Sequence, residues 1–122
     1  MSEKRILLVD DEEVILDTYS SLLSEKGYSV VTANSGRKAL EKFSHQQIDL
    51  IVTDLAMMDE DGLTLLEKIK AHSPNTPVII LTGTTSKVIR EFAFKLGVYA
   101  IIEKPCSNEI FLSCVNDSLV LT

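Results

Sequence analysis

Ile6-Leu7-Leu8-Val9-Asp10-Asp11 is the stretch from which the fold follows: four apolar residues in a row, then two carboxylates. A strand with one wet face alternates apolar and polar residues, whereas a strand covered on both faces is apolar throughout. The same texture returns at Val30-Val31, Leu50-Ile51-Val52, Val78-Ile79-Ile80-Leu81 and Ile101-Ile102. These runs are rich in β-branched residues and mostly continuous, the pattern of a buried parallel sheet.

Helical stripes fill the intervals. Ile15, Tyr19, Leu22 and Leu23 follow i, i+4, i+7, i+8 spacing, with Gly27 as a left-handed stop. Ala39, Leu40 and Phe43 form a shorter stripe opened by Ser35-Gly36, and Leu65, Leu66 and Ile69 form a third. Ile89, Phe92, Ala93 and Leu96 run up to Gly97, and Ile110, Phe111, Cys114, Val115 and Leu119 follow the breaker Pro105. Strand and helix alternate five times, which predicts an α/β fold with a five-stranded parallel sheet. Right-handed crossovers put helices on both faces only if the strand order reverses, and five strands favour the doubly wound, flavodoxin-like order 2-1-3-4-5.

Composition narrows the function. The chain has 122 residues, 45% hydrophobic and 25% charged, the balance of one soluble globular domain spanning residues 1–122. No Gly/Ser/Pro linker divides it, and Pro74 and Pro77 bracket only the turn from Ser73 to Thr76. Twelve basic against eighteen acidic residues give a net charge of −6, which argues against direct nucleic-acid binding and against docking on an anionic membrane. No apolar run approaches the length of a membrane span or a secretory signal. Cys106 and Cys114 fall in the last predicted helix, about 12 Å apart at helical rise, too far for a disulfide. A reducing, cytoplasmic setting is expected.

The chemistry gathers at the strand ends. Asp10 and Asp11 follow the first strand, Asp54 the third, Thr82 the fourth and Lys104 the fifth. In a parallel sheet these ends share one rim, and strands 1 and 3 flank the reversal where ligands bind. Carboxylates brought together there need a positive partner: Lys104, a cation, or both. Oxygen donors without a Cys/His cluster suit Mg²⁺, or Mn²⁺, before Zn²⁺. A metal with open positions clamps phosphoryl oxygens, and a carboxylate beside it can attack phosphorus to form an acyl phosphate. With the Thr82 hydroxyl and the space beside Gly83, the rim reads as a phosphoacceptor site.

Asp10-Asp11, Asp54, Asp61-Gly62, Thr82-Gly83 and Lys104-Pro105, in this order and spacing, resemble the receiver domain of two-component response regulators. The resemblance covers nearly the whole chain. It implies that Asp54 is phosphorylated, that Asp10 and Asp11 hold Mg²⁺ directly or through water, and that the Ala56 carbonyl adds a ligand. It also implies that Lys104 pairs with the phosphoryl group, that Thr82 transmits the state, and that the bond to Pro105 is cis. The donor would be a sensor histidine kinase or phosphotransfer protein, and the helix 4–strand 5–helix 5 face would meet an output domain or partner. Such a domain is a switch that assists its own phosphorylation and dephosphorylation, not an enzyme in the usual sense.

Two positions depart from the family pattern. Met58 stands where a proline is usual, and Ile101 where Tyr or Phe is usual. An aliphatic side chain cannot make the aromatic rotation often linked to Thr82, although Tyr99 shares its face by the two-residue period. Ile101 therefore favours one alternative, an interaction module that binds regardless of phosphate. A metal-dependent aspartyl-phosphate phosphatase fits less well, because Glu12 replaces the usual second acid and no cap is present. A flavin carrier fits worst, since the first loop is acidic and repels a phosphate. His45 and His72 are expected at the surface near helix ends, Met57-Met58 as loop packing, and Lys87, Arg90 and Lys95 as a solvated face or partner surface.

Overall fold

A computed structural model of the chain describes residues 3–57 and 61–120. Met58, Asp59 and Glu60 lie outside it, and with Met58 the expectations on the substituted proline and on its loop packing. Strands β1 (Arg5–Val9), β2 (Ser29–Ala33), β3 (Leu50–Thr53), β4 (Val78–Thr82) and β5 (Ala100–Glu103) form the sheet. They alternate with helices α1 (Glu13–Glu25), α2 (Gly36–His45), α3 (Gly62–His72), α4 (Lys87–Leu96) and α5 (Asn108–Val120). Every pairing is parallel and the order is β2-β1-β3-β4-β5, as the sequence predicts.

Alternating residues feed two cores. Leu7, Val9, Ile51, Val78 and Ile80 pack with Ala39 of α2, Leu65, Leu66 and Ile69 of α3 and Ala93 of α4. Ile6, Leu8, Leu50, Val52 and Ile79 point the other way, against Leu16, Tyr19 and Leu23 of α1 and Phe111, Val115 and Leu119 of α5. The inner strands β1, β3 and β4 are buried almost throughout, while most of the outer strands β2 and β5 is only half-buried. A continuous apolar run therefore over-reads burial at the sheet edges, where no neighbouring strand closes the flank.

The helix starts and stops follow the residues. Ser35, Asp61 and Ser86 cap α2, α3 and α4, each side chain accepting the N–H three residues on. Gly27 and Gly97 follow α1 and α4 at φ 91° and 100°, the left-handed stops that the sequence marks. His45 and His72 are the exposed last residues of α2 and α3.

Several stripe assignments need correction. Leu16, which the stripe omits, is buried on α1 with Tyr19 and Leu23, while Ile15 and Leu22 are only half-buried. Phe92 of α4 and Ile110 of α5 are 49% and 60% exposed, because helical spacing marks the edge of a stripe as readily as its centre. Cys106 precedes α5 instead of lying in it, though it and Cys114 are both free thiols. Tyr99 packs with the α1/α5 core and Ile101 with the opposite one. The two-residue period fails there because β5 begins only at Ala100.

Candidate functional site

Register builds the site. Val9 pairs with Thr53, so the chain leaves β1 and β3 at the same level. The Asp54 N–H donates to the Val9 carbonyl at 3.1 Å, and the Asp10 N–H to the Ala33 carbonyl at 3.1 Å. Adjacent strands lie about 4.8 Å apart, so the two carboxylates emerge side by side. Both are buried, Asp10 at 2% exposure and Asp54 at 6%.

Lys104 supplies the opposing charge. Its Nζ donates to Asp10 Oδ2 at 3.1 Å and stands 3.7 Å from Asp54 Oδ2. The remaining oxygens are held by backbone: Asp10 Oδ1 accepts the Glu12 N–H at 2.9 Å, and Asp54 Oδ1 the Leu55 N–H at 2.7 Å. Lys104 is fixed in turn by its own N–H, which donates to the Thr82 carbonyl at 2.7 Å, and the bond to Pro105 is cis. Buried Thr82 turns its hydroxyl to the Thr84 carbonyl at 3.1 Å.

Burial raises the Asp10 pKa above the ordinary carboxyl value; the Glu12 N–H and Lys104 offset this in part, and the Asp54 charge adds to it. For Lys104, burial lowers the pKa, but the hydrogen bond to Asp10 and the charges of Asp10, Asp54 and Glu12 outweigh it. The ammonium is held above its ordinary value.

The carboxylate oxygens of Asp10, Asp11 and Glu12 lie within 4.8 Å of one another, the latter two side chains exposed to solvent. No sulfur or imidazole joins this group, and an all-oxygen set with room for water fits a hard divalent cation. Asp54 and Ala56 stand on the wall of an adjoining cleft of about 480 Å³, together with Glu12, Thr82, Gly83 and Lys104. Its apolar side is Ile15, Tyr19 and Pro105.

Gly62 matters here for clearance. A Cβ at this position would stand 2.3 Å from the Asp54 carbonyl oxygen, and its φ lies outside the left-handed region. Its N–H donates to the Leu55 carbonyl at 2.8 Å, so α3 begins directly against the segment that carries Asp54. Asp61 is engaged as the α3 cap, accepting the Thr64 N–H at 2.8 Å.

Asp10, Asp11, Asp54, Thr82 and Lys104 thus all come to one rim, as the strand-end pattern predicts, and Ala56, which only the resemblance brings in, lines the same cleft. Two residues escaped the sequence reading as members of the site. Glu12 reads as a helix N-terminal acid, and Tyr19 as core because it sits in a stripe. Position two after Asp10 was the available signal for the first; nothing local marks the second.

Residues 6–116 match the family model of the response regulator receiver domain, and the chain belongs to that family. It is 36% identical to the transcriptional regulatory protein GlrR of Escherichia coli (strain K12), over 98% of this chain and 27% of that protein. With the transcriptional regulatory protein ZraR of the same strain it shares 40% identity, over 96% of this chain and 26% of that protein. The chain therefore spans about a quarter of the length of these curated relatives. Among solved structures, the CheY-like receiver domain protein from Methanospirillum hungatei JF-1 superposes with a TM-score of 0.96 at 32% identity, covering 98% of this chain and 96% of that one. The beryllofluoride-activated NtrC4 receiver domain dimer gives 0.91 at 38% identity, covering 96% and 97%.

Proposed function

We propose that residues 1–122 form one receiver domain that takes a phosphoryl group onto Asp54 from a phosphohistidine of a sensor kinase or phosphotransfer protein, in a Mg²⁺-dependent reaction. The observation that carries this reading is the Lys104 ammonium, which stands against oxygens of both Asp10 and Asp54 at the reversal of strand order. An Asp54 carboxylate oxygen attacks phosphorus; the O–P bond forms as the donor P–N bond breaks, and its electron pair leaves on the imidazole nitrogen. Lys104 is then placed to pair with a phosphoryl oxygen, and the Thr82 hydroxyl to exchange its bond with the Thr84 carbonyl for a second one. Asp10, Asp11, Asp54 and the Ala56 carbonyl would hold the metal, with Glu12 within reach of the same group. When bound, Mg²⁺ supplies positive charge to the phosphoryl oxygens.

The partner face is assigned to α4, β5 and α5. Val88, Phe92 and Phe94 are 75%, 49% and 50% exposed on α4, and an open groove of about 750 Å³ there includes Lys87, Arg90, Phe94, Lys95 and Glu103. That pattern supports contact with an output domain or partner protein. We assign the domain to the cytoplasm, with no membrane or nucleic-acid partner of its own. Ala56 and Thr84, the small residues two after Asp54 and Thr82, leave the lifetime of the phosphoryl group to be measured.

Intact mass after incubation with Mg²⁺ and acetyl phosphate tests the reading. One added phosphoryl group is expected, absent in Asp54→Asn; no addition to the unaltered chain overturns it. A phosphate-independent interaction module is the second reading, favoured by Ile101, an aliphatic residue packed against the α2–α4 core. Equal partner affinity with and without beryllofluoride would establish that second reading, whereas a gain on adding it supports the switch.

A further inference from the structure

Tyr19 belongs to α1 but reaches the loop that carries the active ammonium. It is 8% exposed, and its ring meets Phe111 of α5 edge-on, with centroids 4.8 Å apart and planes at 62°. Its hydroxyl is 3.8 Å from Cys106 Sγ, two residues past Lys104, and the ring lines the same cleft as Asp54, Lys104 and Pro105. Edge-on ring pairs and buried phenols with a polar partner hold their neighbours in one geometry.

Lys104 is gripped from two sides. Before it, the strand hydrogen bond to the Thr82 carbonyl fixes its N–H; after it, Pro105 has a locked φ and leads straight to Cys106. Tyr19 meets this second grip at Cys106, whose Sγ is 3.8 Å from its hydroxyl, and α1, which carries it, follows directly on the loop of Asp10 and Asp11. The element that follows the acids thereby anchors the loop that presents the ammonium.

We propose that Tyr19 is a positioning residue for Lys104, a role that rests on the phosphoacceptor reading above. Its ring meets Phe111 and its hydroxyl meets Cys106, and through that loop it sets where the Lys104 Nζ stands between Asp10 and Asp54. Sub-ångström placement of such a group matters, and misplacement by about 1 Å can cost up to about a hundredfold in rate.

The test compares Tyr19→Phe, which keeps the ring on Phe111, and Tyr19→Leu, which removes it, with the unaltered chain. The rate of phosphoryl uptake from acetyl phosphate is followed at saturating Mg²⁺, together with the Lys104 ammonium NMR signal and the melting shift on adding Mg²⁺. The expected result is a Tyr19→Leu rate reduced about tenfold and a Tyr19→Phe rate reduced less. The Lys104 signal moves in both variants, while the Mg²⁺ melting shift is kept. Should Tyr19→Leu fail to fold, Tyr19→Phe decides alone through its rate and the Lys104 signal. A rate within about twofold of the unaltered chain, with an unmoved Lys104 signal, overturns the proposal. Absence of uptake by the unaltered chain would instead strike the phosphoacceptor reading, and the Lys104 signal would still report on Tyr19.

Discussion

Lys104 stands between the buried carboxylates of Asp10 and Asp54, and its side chain is only 14% exposed. Removing it leaves Asp10 and Asp54 facing each other without a counter-charge. We expect Lys104→Met to destabilise the metal-free chain by about 1–3 kcal/mol at neutral pH, measured by denaturant unfolding. The sign of the pH dependence follows from Asp10, whose folded pKa lies above the unfolded value. As pH rises from the unfolded pKa through the folded one, the unfolded chain gives up its proton first, so stability is lost on the way up. Without Lys104 the Asp10 pKa climbs further, and the penalty should shrink toward pH 4 as Asp10 protonates. A Lys104→Met loss that is the same at pH 4 and pH 7 would show that the charge is not the cause.

At the level of elements, the start of α3 and the body of α1 each press on the site from behind. Gly62→Ala would drive a methyl group against the Asp54 carbonyl, 2.3 Å from the built Cβ position. We expect a loss of about 1–3 kcal/mol together with slower phosphoryl uptake, because α3 and the Asp54 segment cannot both keep their places. In α1, burial first and the Cys106 contact second push the Tyr19 hydroxyl up to about 12. The unfolded chain ionises this phenol near its ordinary value, so folding stability should fall as pH rises from about 10 through about 12. The phenolate absorbance that Tyr19→Phe removes should be late-titrating; titration of Tyr19 near its ordinary value would contradict the burial. These elements also mark where the sequence stops being legible. Strand identity came from dense apolar runs, and Ser35, Gly27 and Gly97 announced helix ends by local chemistry. The exposure of Phe92 and Ile110, the burial of Leu16 on α1 and the face of Tyr99 depend on neighbours that no local pattern contains.

At the scale of the molecule, the net charge of −6 has a location. Eight of the eighteen acids fall at residues 10–13, Asp54 and residues 59–61 of the sequence, and among the described ones Asp10 and Asp54 stand against Lys104. The described members among Asp10, Asp11 and Glu12 gather their oxygens within 4.8 Å, a concentration of charge that a divalent cation relieves. Mg²⁺ at ten times its dissociation constant should therefore stabilise the fold by about 1.4 kcal/mol, seen as a rise in Tm. A Tm unmoved by millimolar Mg²⁺ at neutral pH would count against the metal site. The reversal point, and with it the meeting of Asp10, Asp54 and Lys104, was readable because strand order and strand-end chemistry are both sequence properties. Tyr19 was not, since it serves a helix locally and joins the site only through tertiary packing, and Glu12 is marked only by its place two after Asp10. The central claim is that Asp54 carries the phosphoryl group, and reductive trapping tests it most directly. Borohydride reduces an acyl phosphate to the alcohol, so the chain treated with Mg²⁺ and acetyl phosphate, then with borohydride, should yield homoserine at position 54 on peptide mapping. Homoserine at another carboxylate, or an unchanged Asp54 in a chain that has gained phosphoryl mass, would contradict it.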